Sequence, residues 1–252
     1  MIVKNINELT RVYPQLCAGD IVSARIVSKH LKQTLLIDLL ERGVHCCPSP
    51  LSQVLNGSKA AQGLILKNWM VSDTRVIQRR SDLMKAVQAY HRKGVQRVVT
   101  KADKMHCGYG IRLWEHIEML YSFIAFSEDA YPFLLQPFLE NIIDVRVIVV
   151  GEYIEAYTRQ NPDNFRNNIS TGGCALPYNL NDKNVDLCRT IMRRGKFPFA
   201  HIDLQILTDG SCYLSEIALN GGIKGAKISR TELDKRKQEV IDSLIEKLEQ
   251  AR

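Results

Sequence analysis

Two acidic residues, Asp203 and Glu216, lie on the arms of a predicted β-hairpin and are well placed to do chemistry together. The arms are residues 202–207 and 212–217, and both are rich in the apolar residues typical of strands. Asp209-Gly210, between the arms, is a dipeptide that favours a tight type I′ turn. Counting outward from that turn places Asp203 opposite Glu216 on one face of the hairpin.

The two facing carboxylates suggest a metal site. Like charges directly opposite on one face, roughly 5 Å apart, destabilise a sheet, and a bound divalent cation would remove the repulsion. Hard oxygen ligands suit magnesium. The same count places Gln205 opposite Leu214. Period-two alternation continues this face past Ala218 to Asn220, a candidate third oxygen ligand, just before the glycine-rich residues 221–225. The alternative is a hairpin whose acids only face solvent.

Composition limits the classes of protein that this chain can belong to. It has 252 residues, of which 45% are hydrophobic, so it can bury a core as one large domain or two small ones. Its apolar runs are shorter than the roughly 20 residues needed to cross a bilayer, and its first residues lack a signal-peptide pattern. We therefore expect a cytoplasmic protein without a membrane partner.

Cysteine usage and charge add two further limits. Seven cysteines without a Cys-x-x-Cys pair fit reduced thiols better than disulfides or a zinc site. The formal charge of +7 would suit nucleic acid, but the Lys and Arg residues are dispersed and not interleaved with aromatic residues, so we do not expect a nucleic-acid partner. A basic balance also suits a pocket for phosphates and carboxylates.

The elements that must position the two acids predict an α/β (α+β) fold. Residues 21–27, 28–43 and 44–47 predict a strand, a helix and a strand, which is one βαβ unit with a partly parallel sheet. The apolar segment 133–140 contains a proline, so we expect it at a sheet edge or as a connector between lobes. The other predictions are helices over 51–66, 81–92, 116–126, 185–194 and 231–250, and strands over 70–77 and 97–101.

A second predicted hairpin, residues 144–159, turns at Gly151-Glu152 and has one apolar and one charged face. The charged face contains Asp144, Arg146, Glu155, Tyr157 and Arg159. Cross-strand ion pairs on a solvated face, such as Asp144 with Arg159, are the simplest interpretation. The following loop, residues 160–173, adds Arg166, Asn167 and Asn168, a composition that fits anion binding better.

A small glycine turn follows the predicted strand that ends at Lys101. Gly108, Tyr109 and Gly110 form this turn, and glycines let backbone N–H groups approach a phosphate closely. A lysine on the preceding strand supplies a point charge. A plain hairpin turn is the alternative interpretation.

The order of these motifs resembles the ATP-grasp superfamily and, within it, the RimK-type glutamate ligases. The resemblance runs from Lys59 to Gly225 and rests on several ordered motifs. It implies a reduced βαβ lobe over residues 1–57 and an ATP-grasp domain over 58–252. Within that domain it implies a small nucleotide lobe over about 70–135 and a metal and substrate lobe over about 136–252.

The resemblance also implies the roles of the site residues. The implied catalytic residues are Arg159 and Arg166, and the implied metal ligands are Asp203, Glu216 and Asn220. The implied nucleotide-binding residues are Lys59, Lys101, Gly108, Tyr109, Gly110, Gln136, Pro137, Phe138, Leu139, Glu140, Asp144, Arg146 and Asn168. The implied cofactors are ATP and Mg²⁺, with Mn²⁺ as an alternative metal.

The implied activity is an ADP-forming ligation of a carboxylate to an amine through an acylphosphate. The amine can belong to an amino acid, a peptide or a protein terminus, and a homo-oligomer is compatible with the sequence. The chain departs from the family pattern at Ala218, where relatives have an asparagine, at Thr171, where they often have a basic residue, and in its short N-terminal lobe. A nucleotide-binding protein without ligase activity and a small-molecule kinase of the same fold are therefore alternatives.

Overall fold

The computed structural model describes residues 1–28, 30–105, 108–167 and 172–250, and it is a mixed α/β protein built on three separate sheets. The predicted α/β (α+β) class is confirmed. Each sheet packs on its own cluster of buried apolar side chains. Short 3₁₀ helices occur at Tyr13–Gln15, Lys67–Trp69 and Glu128–Ala130. Within the described ranges, no helix is long and apolar enough to cross a membrane.

The N-terminal region is a small parallel sheet with the strand order β1-β2-β3. Its elements are β1 (Ile2–Val3), α1 (Ile6–Val12), β2 (Ile21–Val22), α2 (Lys32–Glu41) and β3 (His45–Cys46). The chain therefore has two βαβ units here and not the single one predicted, because a two-residue strand such as β1 is too short to give a periodic signal.

The second sheet is antiparallel, with the order β4-β7-β5-β6, and we call it with its helices the small lobe. The helix α3 (Pro50–Leu55) precedes this lobe. The elements of the lobe are α4 (Lys59–Ile65), β4 (Arg75–Ile77), α5 (Arg80–Arg92), β5 (Val98–Ala102), β6 (Ile111–Trp114), α6 (Ile117–Ile124) and β7 (Phe133–Pro137). The predicted helix over 51–66 is split in two, and Gly57 in the break has a φ of 102°. The expectation of an edge strand near residue 133 is wrong, because β7 lies between β4 and β5 and its proline is its last residue.

The third sheet has five antiparallel strands in the order β10-β9-β8-β11-β12, and we call it with its helices the large lobe. Its elements are β8 (Ile143–Val150), β9 (Tyr153–Gln160), β10 (Cys174–Pro177), α7 (Asp182–Gly195), β11 (Phe199–Ile206), β12 (Cys212–Ala218) and α8 (Arg230–Gln250). The β8–β9 hairpin has the predicted register, with Asp144 opposite Arg159 and Arg146 opposite Tyr157. Its charged face is therefore a single surface of the sheet.

The β11–β12 hairpin brings Asp203 opposite Glu216, as predicted, but the turn and the pairing next to it differ from the prediction. The turn has three residues, 208–210, with Gly210 at φ 85°, and the Leu207 amide donates to the Ser211 carbonyl. This longer turn moves the pairing near the turn by one residue. A β-bulge at Ser215 then moves it back before the two acids meet.

Candidate functional site

A cavity of about 400 Å³ lies between the small and large lobes and contains most of the predicted site residues in its wall. The predicted residues that line it are Lys101, Gly108, Gln136, Pro137, Phe138, Leu139, Asp144, Arg146, Arg159, Arg166, Asp203, Glu216 and Asn220. One face of the small-lobe sheet and the charged face of the large-lobe sheet therefore form one site.

Four predicted residues lie away from the wall that the described residues form; one of them, Lys59, lies behind it. The Tyr109 side chain is 80% exposed. Gly110 packs against the small lobe, since a Cβ there would lie 2.6 Å from a Met105 side-chain carbon. Glu140 forms an ion pair with Arg97, with 2.6 Å between Oε1 and Nη1. Asn168, a further predicted residue, lies outside the described residues.

Asp203 is buried and held by two arginines, Arg146 on the neighbouring strand β8 and Arg159 on β9, the strand beyond it. Arg146 donates from Nε to Oδ1 at 2.8 Å and from Nη2 to Oδ2 at 2.9 Å, and Arg159 Nη2 lies 3.0 Å from Oδ2. Although burial alone would raise the pKa of Asp203, the two guanidinium groups hold that pKa well below its usual range. Asp203 is therefore a carboxylate at neutral pH.

Asp144 is the second buried acid of the cavity and shares Arg159 with Asp203. Arg159 Nε donates to Asp144 Oδ1 at 2.7 Å, which confirms the predicted cross-strand pair. Burial raises the pKa of Asp144 to about 6; Arg159 opposes this rise, and the nearby charge of Asp203 adds to it. One arginine thus serves two carboxylates.

Two lysines from the small-lobe side contact Glu216 and the bulge residue Ser215. Lys59 lies behind the cavity wall, and its Nζ is 3.3 Å from Glu216 Oε1. Lys101 Nζ donates to the Ser215 hydroxyl at 3.0 Å and to the Ser215 carbonyl at 3.2 Å. Burial lowers the pKa of Lys101 to about 8. The bulge that restores the register therefore also fixes an ammonium group beside the two opposed acids.

The charges of the cavity suit phosphates together with a metal. The cations of the cluster, Lys59, Lys101, Arg146 and Arg159, outnumber its carboxylates, Asp144, Asp203 and Glu216, by one. In the described ranges no group of three or more His, Cys, Asp or Glu side chains could hold a metal ion. Magnesium is usually held by one or two carboxylates together with substrate phosphates, so the facing pair fits it chemically.

Asn220 lies in the cavity wall, but β12 ends before it, at Ala218. Its Oδ1 accepts a hydrogen bond from Lys237 Nζ at 2.7 Å. Sequence reasoning missed Lys237, which occupies the buried row of α8 that also contains Leu233 and Ile241. A lysine four residues from apolar residues on both sides was the available signal.

Arg166 joins the two lobes. Its Nε donates to the Ile111 carbonyl at 3.0 Å, and its Nη2 contacts the same oxygen. Its guanidinium lies 4.3 Å from the centre of the Phe165 ring. The residue expected to be catalytic therefore connects the beginning of β6 to the loop after β9, at the edge of the cavity.

The strand β7 provides the wall opposite the acids. Gln136 is buried, and its Nε2 donates to Thr74 Oγ1 at 2.9 Å. Beyond the end of β7, the Phe138 amide donates to the Arg97 carbonyl at 2.9 Å, and its ring meets Phe165 edge-on. This apolar and amide-rich wall is the kind of surface that binds a planar ring.

Comparisons with known proteins agree with this arrangement. The family model described as the RimK-like ATP-grasp domain matches residues 56–244. The solved structure of the D-cycloserine synthetase DcsG is similar at 14% identity and a TM-score of 0.65, covering 89% of this chain and 84% of that one. The ATP-grasp ligase PsnB, solved with the precursor peptide PsnA2 and AMPPNP, is similar at 16% identity and a TM-score of 0.59, covering 91% of this chain and 78% of that one.

A third similar structure is the D-alanyl-alanine synthetase A of Vibrio cholerae, at 14% identity and a TM-score of 0.57, covering 88% of this chain and 76% of that one. These likenesses show a shared fold. No curated protein matches the chain.

Proposed function

Because the chain belongs to the RimK-like ATP-grasp family of ATP-dependent carboxylate–amine ligases, which use ATP and Mg²⁺, we propose that the interlobe cavity is its active site. The observation that supports this most directly is the opposition of Asp203 and Glu216 among four cationic side chains. The arrangement offers carboxylates to a metal and cations to phosphates within a single cavity.

In the proposed reaction, a carboxylate oxygen of the acid attacks the γ-phosphorus of ATP and ADP leaves. The nitrogen of the amine then attacks the acyl carbon, phosphate leaves, and the nitrogen gives up a proton to form the amide. Lys59, Lys101, Arg146 and Arg159 would neutralise the charge of the phosphates, and Asp203 and Glu216 would hold magnesium. Positioning and electrostatics supply this kind of catalysis, so no protein nucleophile is needed.

We also propose the predicted division of the chain at residue 57, which falls at the break between α3 and α4. The core of the N-terminal sheet is a separate apolar cluster, which supports a distinct lobe over residues 1–57. The cysteines, free in the described part of the chain, support a cytoplasmic location.

The test is ligand-induced thermal stabilisation followed by product analysis. ATP with Mg²⁺ should raise the melting temperature of the wild type, because binding to the native state stabilises it by mass action. Glu216→Gln should abolish the magnesium-dependent part. Glu152→Gln, at a side chain 95% exposed on the β8–β9 turn, is the matched control and should behave as wild type.

Acid and amine pairs that release both ADP and free phosphate would support the ligase. Release of ADP with the phosphate retained on the product would support a kinase instead. The absence of any magnesium-dependent shift in the wild type would refute the assignment of the cavity.

A further inference from the structure

The orientation of the Asn220 carboxamide is fixed by its partner. Lys237 Nζ lies 2.7 Å from the terminal atom of Asn220 that faces it. An ammonium group has three donors and no acceptor, so that atom must be the carbonyl oxygen. The Asn220 oxygen is therefore turned toward α8, and its NH₂ group is the part that remains for the cavity that this residue lines.

Lys237 is an unusual residue in this position because it is buried and charged. It is 6% exposed, and its other contacts are the Leu219 carbonyl at 3.1 Å, His201 Nε2 at 3.5 Å and the Phe199 ring at 5.0 Å. Among the described residues no carboxylate lies within ion-pair distance of it. Burial lowers its pKa to about 8. Burying a charge without an opposite charge destabilises a protein, so Lys237 is placed here at the expense of stability.

The loop that follows Asn220 is held from the other side as well. Arg146 Nη1 donates to the Gly222 carbonyl at 3.2 Å, and Arg230 Nη2 donates to the Gly221 carbonyl at 3.0 Å. A Cβ on Gly221 would lie 2.9 Å from His201 Nδ1, so this backbone rests directly on the buried imidazole. The side-chain oxygen of Asn220 and the backbone directly after this residue are thus both held.

We propose that Asn220 binds an anionic oxygen of the substrate through its side-chain NH₂ group, that Lys237 is the positioning residue for this contact, and that Asn220 is not a metal ligand. This inference rests on the proposed function of the cavity. The anionic oxygen belongs either to the carboxylate of the acid or to the phosphoryl group that it receives. Metal binding is then left to the carboxylates of Asp203 and Glu216.

The test compares magnesium and phosphate binding in Asn220→Ala and Asn220→Asp, using ADP with Mg²⁺ and inorganic phosphate as the probes. A donor role predicts that the Mg²⁺ dependence of ADP binding is unchanged in Asn220→Ala. It also predicts that phosphate binding to the ADP–magnesium complex weakens by about 10- to 100-fold in both variants, as expected for a lost hydrogen bond to a charged group. Asn181→Asp, at the N-terminal cap of α7, is the control for the amide-to-acid exchange.

A metal-ligand role predicts the reverse. Asn220→Ala would then weaken the Mg²⁺ dependence, and Asn220→Asp would restore it, because a carboxylate is the better ligand. A weakened Mg²⁺ dependence in Asn220→Ala, combined with unaltered phosphate binding, would overturn the inference while leaving the proposed function intact. If the wild type does not bind ADP with Mg²⁺, the proposed function is overturned, and the proposed contact between Asn220 and the substrate is overturned with it.

A stability measurement tests the Lys237 contact without any ligand. Lys237→Met removes the buried charge and should raise the melting temperature by about 2–4 °C, while weakening phosphate binding. Asn220→Asp should also raise it, because the ammonium gains an ionised partner. Lys235→Met, at a 71% exposed side chain on the same helix, is the control and should change neither. A lower melting temperature in Lys237→Met would show a purely structural lysine and overturn the positioning role.

Discussion

Asp203 and Glu216 have equivalent proposed roles, yet replacing them should affect the stability of the protein very differently. Asp203→Asn and Glu216→Gln each remove one negative charge and preserve the shape of the side chain. Asp203 accepts hydrogen bonds at 2.8, 2.9 and 3.0 Å from two arginines, and its side chain is 12% exposed. Glu216 has one cationic partner, Lys59 at 3.3 Å, and its side chain is 28% exposed.

The magnitudes follow from what each change leaves behind. Asp203→Asn leaves Arg146 and Arg159, whose side chains are 19% and 7% exposed, and among the described residues Asp144 is then the one buried acid beside them. Removing one partner of a buried ion pair costs about 3–5 kcal/mol. For a chain of this size that corresponds to a fall of about 6–20 °C in melting temperature. Glu216→Gln leaves Lys59, whose side chain is 4% exposed, but Lys59 Nζ still donates to the Met105 carbonyl at 2.6 Å and can donate to the new amide oxygen. We therefore expect a smaller loss, of about 1–2 kcal/mol.

The assay is thermal and urea unfolding of both variants without ligands, alongside magnesium-dependent ATP binding. We expect both variants to lose ATP–magnesium binding, and only Asp203→Asn to lose substantial stability. Adding Arg146→Met to Asp203→Asn should recover about 1–3 kcal/mol, because the uncompensated guanidinium is removed. Equal stability of the two single variants would refute the reasoning, since Asp203 could not then be held by its arginines as the structure shows.

Three further outcomes follow from the same geometry. Lys101→Met should weaken ATP binding by about 10- to 100-fold, because an ammonium group beside the phosphates is lost. In the wild type, ATP affinity should fall as the pH rises through about 8, where Lys101 loses its proton. An affinity, measured by calorimetry, that stays constant from pH 7 to 9 would contradict this. Gly225→Ala should lower the melting temperature more than Gly94→Ala. Both glycines have positive φ, but only the new Cβ at 225 meets another atom, the Cβ of Ala175 at 2.4 Å, and equal melting temperatures would refute this contact. Arg166→Met should raise the KM for ATP more than it lowers kcat, because its guanidinium binds a small-lobe carbonyl; a loss confined to kcat would support the catalytic role.

The predictions from sequence succeeded where short-range rules determine the geometry. The two-residue turn at Gly151-Glu152 determines the register of β8 and β9, so the pairing of Asp144 with Arg159 followed from counting. The pairing of Asp203 with Glu216 was also correct, but the count rested on a two-residue turn that the chain does not have. The longer turn and the bulge cancel, and neither is evident from a dipeptide signal.

The remaining contacts of the site depend on residues that are distant in sequence. Lys237 contacts Asn220 across 17 positions, and Lys59 contacts Glu216 across 157. Periodicity places each lysine on a helix but cannot indicate which strand end meets it, because that depends on how the helices pack on the sheets. The predicted length of the second arm illustrates the limit, since alternation carried the strand pattern past Ala218 to Asn220, whereas β12 ends at Ala218.

The ion pairs of Asp203 have a consequence for the order in which ligands can bind. Both of its oxygens accept hydrogen bonds from Arg146, and Arg159 lies 3.0 Å from one of them, so a metal ion at the proposed site would compete with two guanidinium groups for the same carboxylate. Phosphates of ATP in the proposed site would attract those arginines, and transferring them from Asp203 would leave a buried carboxylate that a cation must compensate. Each ligand thus removes an obstacle to the other, and such coupling is reciprocal by thermodynamic necessity. In the proposed site, Arg146 and Arg159 would therefore link nucleotide binding to metal binding, because they neutralise Asp203 in the absence of a bound cation.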